Sequence, residues 1–129
     1  MTRALKVALT VYGVIHILLG LAFILVPNQA VALMGFGEID AAAIYVAALC
    51  GIMFIAASVW LIVIGRDPLK HIMWVKFAIS WASLGVVIQL YLVAQGVVDF
   101  SQAGPGIIQD FVFAAAFLAF YPYRATRSG

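Results

Sequence analysis

The run Val7-Ala-Leu-Thr-Val-Tyr-Gly-Val-Ile-His-Ile-Leu-Leu-Gly-Leu-Ala-Phe-Ile-Leu-Val26 decides how the rest of the chain is read. It holds no lysine, arginine, aspartate or glutamate, and its twenty residues at ~1.5 Å rise cover about 30 Å, the thickness of a bilayer's hydrocarbon core. The preceding Met1-Thr-Arg-Ala-Leu-Lys6 has the charge order of a signal peptide. The run exceeds the ~7–15 apolar residues of a signal h-region, so it reads as a retained first helix. Composition points the same way. Hydrophobic residues make up 67% of the 129 and charged residues 9%, a mix suited to lipid rather than water.

Working outward from this run, three further apolar segments follow, giving expected spans at about 5–26, 41–64, 69–94 and 106–122 in a single domain, 1–129. The second ends at the turn Gly65-Arg66-Asp67-Pro68. There Asp67 suits an N-cap and Pro68 the first helical position, so the third helix should begin at Pro68. The fourth apolar run, Ile107 to Tyr121, follows the breaker-rich Ser101-Gln-Ala-Gly-Pro-Gly106. Its fifteen residues reach only about 23 Å unless Tyr123 and part of the loop extend it.

Charge placement argues for that fourth span. With four crossings, all seven basic residues, Arg3, Lys6, Arg66, Lys70, Lys76, Arg124 and Arg127, fall on one side, and the connections 27–40 and 94–106 carry none. The positive-inside rule then makes both termini cytoplasmic. Trp60, Trp74, Tyr121 and Tyr123 fall near the same boundary, where amphipathic rings prefer to sit, and Lys76 can snorkel to it. Between the first two spans, Asn28 to Gly35 has a capping residue at one end and a helix-stopping glycine at the other, which predicts a short helix at the outer surface. The expected fold is all-α: an integral membrane, antiparallel four-transmembrane-helix bundle with a short outer interfacial helix.

In lipid, helices associate through close packing at small residues, so small-residue stripes mark inward faces. The first helix carries Leu9, Gly13, His16 and Gly20, with Tyr12 beside them. The second carries Ala43, Ala47, Gly51 and Ser58, interrupted by Phe54, with Cys50 at the edge, and the third carries Ala78, Ala82, Gly85 and Gln89. The fourth offers two faces, one with Ala115 and Ala119, the other with Asp110, Ala114, Phe117 and Tyr121. The spacing of Phe113, Phe117 and Phe120 suggests a stripe for homo-oligomerisation.

The polar residues collect in the outer half. His16 falls near the midplane, and Gln89, Asp110 and Tyr45 fall beyond it, which suggests an outward-facing crevice. An ionisable group inside a membrane costs ~2.5–3.5 kcal/mol on insertion scales, which makes Asp110 a functional candidate. The competing reading puts it in the first turn of the fourth helix, where the dipole favours a carboxylate. His16 can exchange protons with Asp110 or be a packed, hydrogen-bonded core residue. Trp81 can stack on a planar ligand or pack against neighbouring helices. The candidate ligand-binding set is therefore His16, Asp110, Gln89, Tyr45 and Trp81.

Several classes fall away. A net charge of +2 with basic residues only at segment ends excludes a nucleic-acid partner. Cys50 alone supplies neither a disulfide nor a paired-thiol motif. Glu38 and Asp40 lie outside the spans, and His71 lies nearly half a membrane from His16, so neither a metal site nor a bis-histidine haem is expected. No phosphate loop, dinucleotide fingerprint or zinc-protease pair is present, and no serine or cysteine stands beside a histidine in sequence.

The pattern Gly13-Val-Ile-His16-Ile-Leu-Leu-Gly20, with Pro27 closing the first helix, Gly51 in the second and the Arg66-Asp67-Pro68 turn, resembles the DoxX-like group of small four-helix bacterial membrane proteins. The resemblance implies a bacterial inner membrane and an accessory or ligand-binding role, some members being associated with quinone-linked redox systems. It carries over no catalytic residue. Three functions are expected to compete. The first is a non-enzymatic protein that binds a lipophilic small molecule or a membrane partner subunit in the outward-facing crevice. The second is a quinone-linked redox component, and the third an oligomeric small-molecule transporter or channel.

Overall fold

The computed structural model describes residues 2–124, and these are all-helical, without strands. Five helices follow in order: α1 (Thr2–Leu25), α2 (Pro27–Leu33), α3 (Ala41–Gly65), α4 (Ile72–Ala94) and α5 (Phe100–Ala119). Three of them, α1, α3 and α4, are long and apolar enough to cross a membrane. Arg127, one of the seven basic residues, lies outside the described residues.

The helices associate as two pairs. α1 lies antiparallel on α3, with Gly13 against Ile62 and the Ser58 carbonyl, and Gly20 against Gly51. A Cβ built on Gly20 would come within 2.6 Å of the Gly51 carbonyl oxygen, and a Cβ on Gly51 equally close to that of Gly20. Only two glycines allow the backbones to approach this closely, and that sets the crossing of α1 and α3. α4 lies antiparallel on α5 through a second exchange. Gly85 of α4 receives Asp110 of α5, and Gly106 of α5 receives Gln89 of α4. Small-residue faces on α1, α3 and α4 thus point inward as expected: Gly13, Gly20, Gly51, Ser58, Ala78 and Ala82 are buried. Ala43 and Ala47 are only half-buried, and Cys50 is exposed.

The pairs meet in an apolar cluster made of Leu5, Leu9 and Tyr12 from α1, Leu61 from α3, Val75, Ala78 and Ala82 from α4, Ala114 and Phe117 from α5, and Tyr121 beyond it. These residues come from the start of α1, the end of α3, the start of α4 and the end of α5. That end of the molecule is closed by packing, and Trp60 and Trp74 stack across it with ring centroids 6.4 Å apart. The opposite end, toward α2, buries Ala30, Ala103 and Ile107 and holds an opening.

Two helix starts differ from the sequence reading. α4 begins at Ile72 rather than Pro68, because Asp67 caps a separate turn, its Oδ1 accepting from the Lys70 N–H at 3.4 Å. α5 begins at Phe100, absorbing the whole of Ser101 to Gly106. The reason is a capping box at Asp99: Gln102, three residues on, turns its side-chain oxygen back to accept from the Asp99 N–H at 2.8 Å. Nucleated there, the helix carries Pro105 near its start. The short helix α2 is present, with Pro27 as its first residue and Val26 at the cap position. Asn28 does not cap it; its Oδ1 instead accepts from the Ile39 N–H at 3.4 Å. Gly35, at φ +85°, takes the left-handed conformation that turns the chain out of α2.

On α5 the inward face is the one carrying Asp110, Ala114, Phe117 and Tyr121, while Ala115 and Ala119 are exposed. Of the phenylalanine stripe, Phe117 is fully buried, while Phe113 and Phe120 are partly buried against the same cluster and line an open groove with Val7 and Val11 of α1.

Candidate functional site

Above the packed cluster sits a polar group built from three helices. Asp110 stands at the eleventh of the twenty residues of α5, well past the first turn, so the helix dipole does not account for it. Its Oδ2 accepts from the Gln89 amide at 3.0 Å, and its Oδ1 accepts from the Tyr12 hydroxyl at 3.4 Å. Gln89 also donates to the Gly85 carbonyl, one turn back, at 3.0 Å, which fixes its rotamer. Each carboxyl oxygen thus has a neutral polar side chain within hydrogen-bond distance.

His16 lies one turn beyond Tyr12 on α1 and is buried. Its Nδ1 is 2.9 Å from the Tyr12 carbonyl oxygen. A carbonyl only accepts, so Nδ1 carries the proton, and in the neutral ring Nε2 is left as an acceptor. The imidazole packs among aromatic rings, 4.1 Å from Tyr12, 4.8 Å from Trp81 and 5.4 Å from Phe54 between centroids. His16 and Asp110 are therefore not directly bonded; Tyr12 links them, through its hydroxyl on one side and its carbonyl on the other.

Two openings converge on this group. The larger, about 920 Å³, lies between α3 and α4 and is lined by apolar side chains including Met53, Phe54, Phe77, Leu84 and Ile88, with Trp81, His16, Gln89 and Asp110. The smaller, about 450 Å³, lies toward α2 and takes in Leu33, Met34, Gln102, Pro105 and Gln109. His16, Phe54, Gln89 and Asp110 line both. Neither lining includes a lysine or arginine. The first turn of α5 is tied to the chain leaving α2 by the Gln102 amide, which donates to the Gly35 carbonyl at 3.0 Å.

Of the five candidate residues, four come together: His16, Gln89, Asp110 and Trp81. Tyr45 does not. It stands 67% exposed on α3, lining neither opening. Six residues back from Gly51, it falls about 120° off the face that α3 buries. Two residues of the site went unassigned in the sequence. Tyr12 is fully buried and joins the other members, and a tyrosine one turn from an inward histidine, with a hydroxyl needing a partner, was the available signal. Phe54 reads as an interruption of a small-residue stripe; in the structure that interruption is what lines the openings.

Among the described residues no group of three or more histidine, cysteine, aspartate or glutamate side chains is placed to hold a metal ion. Comparison with known proteins found no matching family model, no matching curated protein and no matching solved structure. Fold and site define the class by themselves: an all-helical protein with three helices fit to cross a bilayer and a polar cluster at the meeting of two cavities.

Proposed function

We propose that this chain is a four-span bundle of a bacterial inner membrane that binds a lipophilic small molecule, without catalysing a reaction on it. The observation that carries the reading is the cavity between α3 and α4. It is within the ~300–1,000 Å³ of small-molecule sites and lined mainly by apolar side chains, with Gln89, Asp110 and His16 converging on one part of it and Ser80 and Tyr91 adding hydroxyls. A ligand with an apolar body and a polar end fits this gradient, and the gap between α3 and α4 gives it lateral access from lipid.

Several features support the four-span reading. α5 is twenty residues long, so at ~1.5 Å per residue it reaches about 30 Å, removing the shortfall of its apolar run alone. Its polar residues Gln102, Gln109 and Asp110 line a cavity rather than the exposed face, which carries Ile108, Phe111, Val112 and Leu118. Both termini then lie in the cytoplasm and the polar cluster opens outward. The resemblance to the DoxX-like group fits this placement.

The test is to purify the protein in mild detergent, extract it with organic solvent and identify bound molecules by mass spectrometry. A stoichiometric lipophilic compound that is lost from Leu84→Trp, which fills the cavity, supports the reading. A wild-type extract containing only bulk lipid and detergent counts against it. A quinone-reduction assay on the same preparation separates the redox alternative, in which His16 and Asp110 would pass protons.

A further inference from the structure

We infer that the molecule taken into the cavity between α3 and α4 is a lipophilic cation, held by the Asp110 carboxylate at one end and by aromatic faces along its body. This rests on the reading of that cavity as a ligand site.

The first observation is a carboxyl group with no cationic partner among the described residues. Asp110 is in mid-helix, beside a cavity lined largely by apolar side chains, and its partners are the amide of Gln89 and the hydroxyl of Tyr12. Neutral donors satisfy its lone pairs, but a charge carried there has no cation beside it to compensate it. The lysines and arginines among the described residues do not reach it: they occur at 3–6, 66–76 and 124, at the far end of the helices from Gln89 and Gly106. A carboxylate kept in low dielectric without a cation is an unfilled electrostatic site. The second observation is independent of charge. Trp81, Phe54 and Phe77 line the same cavity, with ring centroids 5.8 Å apart for both Phe54 with Trp81 and Phe77 with Trp81. Aromatic rings lining a cavity attract a diffuse organic cation that lies over their faces through their quadrupoles, most strongly the indole.

The two features select against other lipophilic ligands. An anion would meet the carboxylate and find no basic side chain. A neutral molecule would gain the apolar contacts but leave Asp110 as it stands. A small inorganic cation would need a shell of oxygen ligands, and the cavity supplies mainly carbon. An organic ammonium or phosphonium with aromatic or alkyl substituents uses both parts of the site.

Equilibrium dialysis of the purified full-length protein, with protein-free micelles as the blank, tests this with three probes of similar bulk. Tetraphenylphosphonium is the cation, triphenylphosphine oxide the neutral form and tetraphenylborate the anion. Tetraphenylphosphonium should bind saturably, at least about tenfold more tightly than triphenylphosphine oxide, with no saturable tetraphenylborate. Asp110→Asn should remove that preference by lowering the tetraphenylphosphonium affinity, and Trp81→Leu should weaken the cation more than the neutral probe. Equal affinity for cation and neutral probe in the wild type, or a cation affinity unchanged in Asp110→Asn, overturns the cation assignment and leaves the cavity reading in place. No saturable binding of any of the three overturns both. Because the probe series is read on the wild type, the outcome holds even if Asp110→Asn fails to fold.

Discussion

Asp110 and Gln89 each occupy a space that a glycine on the opposite helix leaves open. A Cβ on Gly85 would run into the Asp110 carboxylate, its Cγ lying 3.0 Å away. Gly85→Ala should therefore displace Asp110 and break its bond to Gln89, lowering stability by about 1–3 kcal/mol as overpacking and a lost polar partner do. The measurement is thermal unfolding in detergent, followed by tryptophan fluorescence. Combined with Asp110→Ala, the glycine substitution should cost much less than alone, because the atom it strikes is gone. Strict additivity would place Asp110 elsewhere than against α4. Tyr12→Phe is a milder change. It removes a hydrogen bond of 3.4 Å, at the long limit of the interaction, and should cost under about 1 kcal/mol if the ring keeps its place among His16, Trp81, Phe113 and Phe117.

At the scale of the elements, α1 and α3 depend on the contact between Gly20 and Gly51. What a methyl group on either would strike is backbone oxygen, which no rotamer change relieves. Gly20→Ala and Gly51→Ala should each separate the pair and cost about 1–3 kcal/mol, whereas Gly37→Ala, with nothing within 4 Å of the added carbon, should be near neutral in the same thermal assay. That these glycines lie on inward faces was legible in the sequence, though their pairing was not. Gly13 and Gly20, like Gly51 and Ser58, recur at helical spacing, and close packing in lipid requires small residues. The start of α5 was not legible in the same way. Ser101 to Gly106 contains two glycines and a proline, so local propensity argues against a helix, and the decision rests on the capping box of Asp99 and Gln102 together with the tie from Gln102 to Gly35. That tie joins residues 67 apart in sequence, and no local pattern announces it. The same limit hid the links between Tyr12 and Asp110 and between Asp110 and Gln89. The depth of the polar residues put His16, Gln89 and Asp110 together. It also admitted Tyr45, because depth alone does not say which side of a helix a residue occupies.

For the whole molecule, the decisive question is whether α5 crosses the bilayer with α1, α3 and α4, since that fixes the side to which the polar cluster opens. Four crossings bring Arg3, Lys6, Arg66, Lys70, Lys76 and Arg124 to one side and leave the connections at 27–40 and 94–106, which carry no lysine or arginine, on the other. Three crossings would strand Arg124 on the uncharged side, at the end of a helix whose exposed face is apolar. The single cysteine makes the prediction simple to check, because Cys50 is exposed and Cys50→Ser gives a thiol-free background. Single cysteines are then introduced as Gly37→Cys, Leu69→Cys, Val97→Cys and Arg124→Cys, at sites that are exposed or partly so. With a membrane-impermeant maleimide on intact cells or spheroplasts, the positions 37 and 97 should label at once, and 69 and 124 only after permeabilisation. Position 124 separates the two topologies, since the other three behave alike in both. Labelling there from outside would leave α5 on the outer surface, and Asp110 would then face water rather than a cavity within the bilayer.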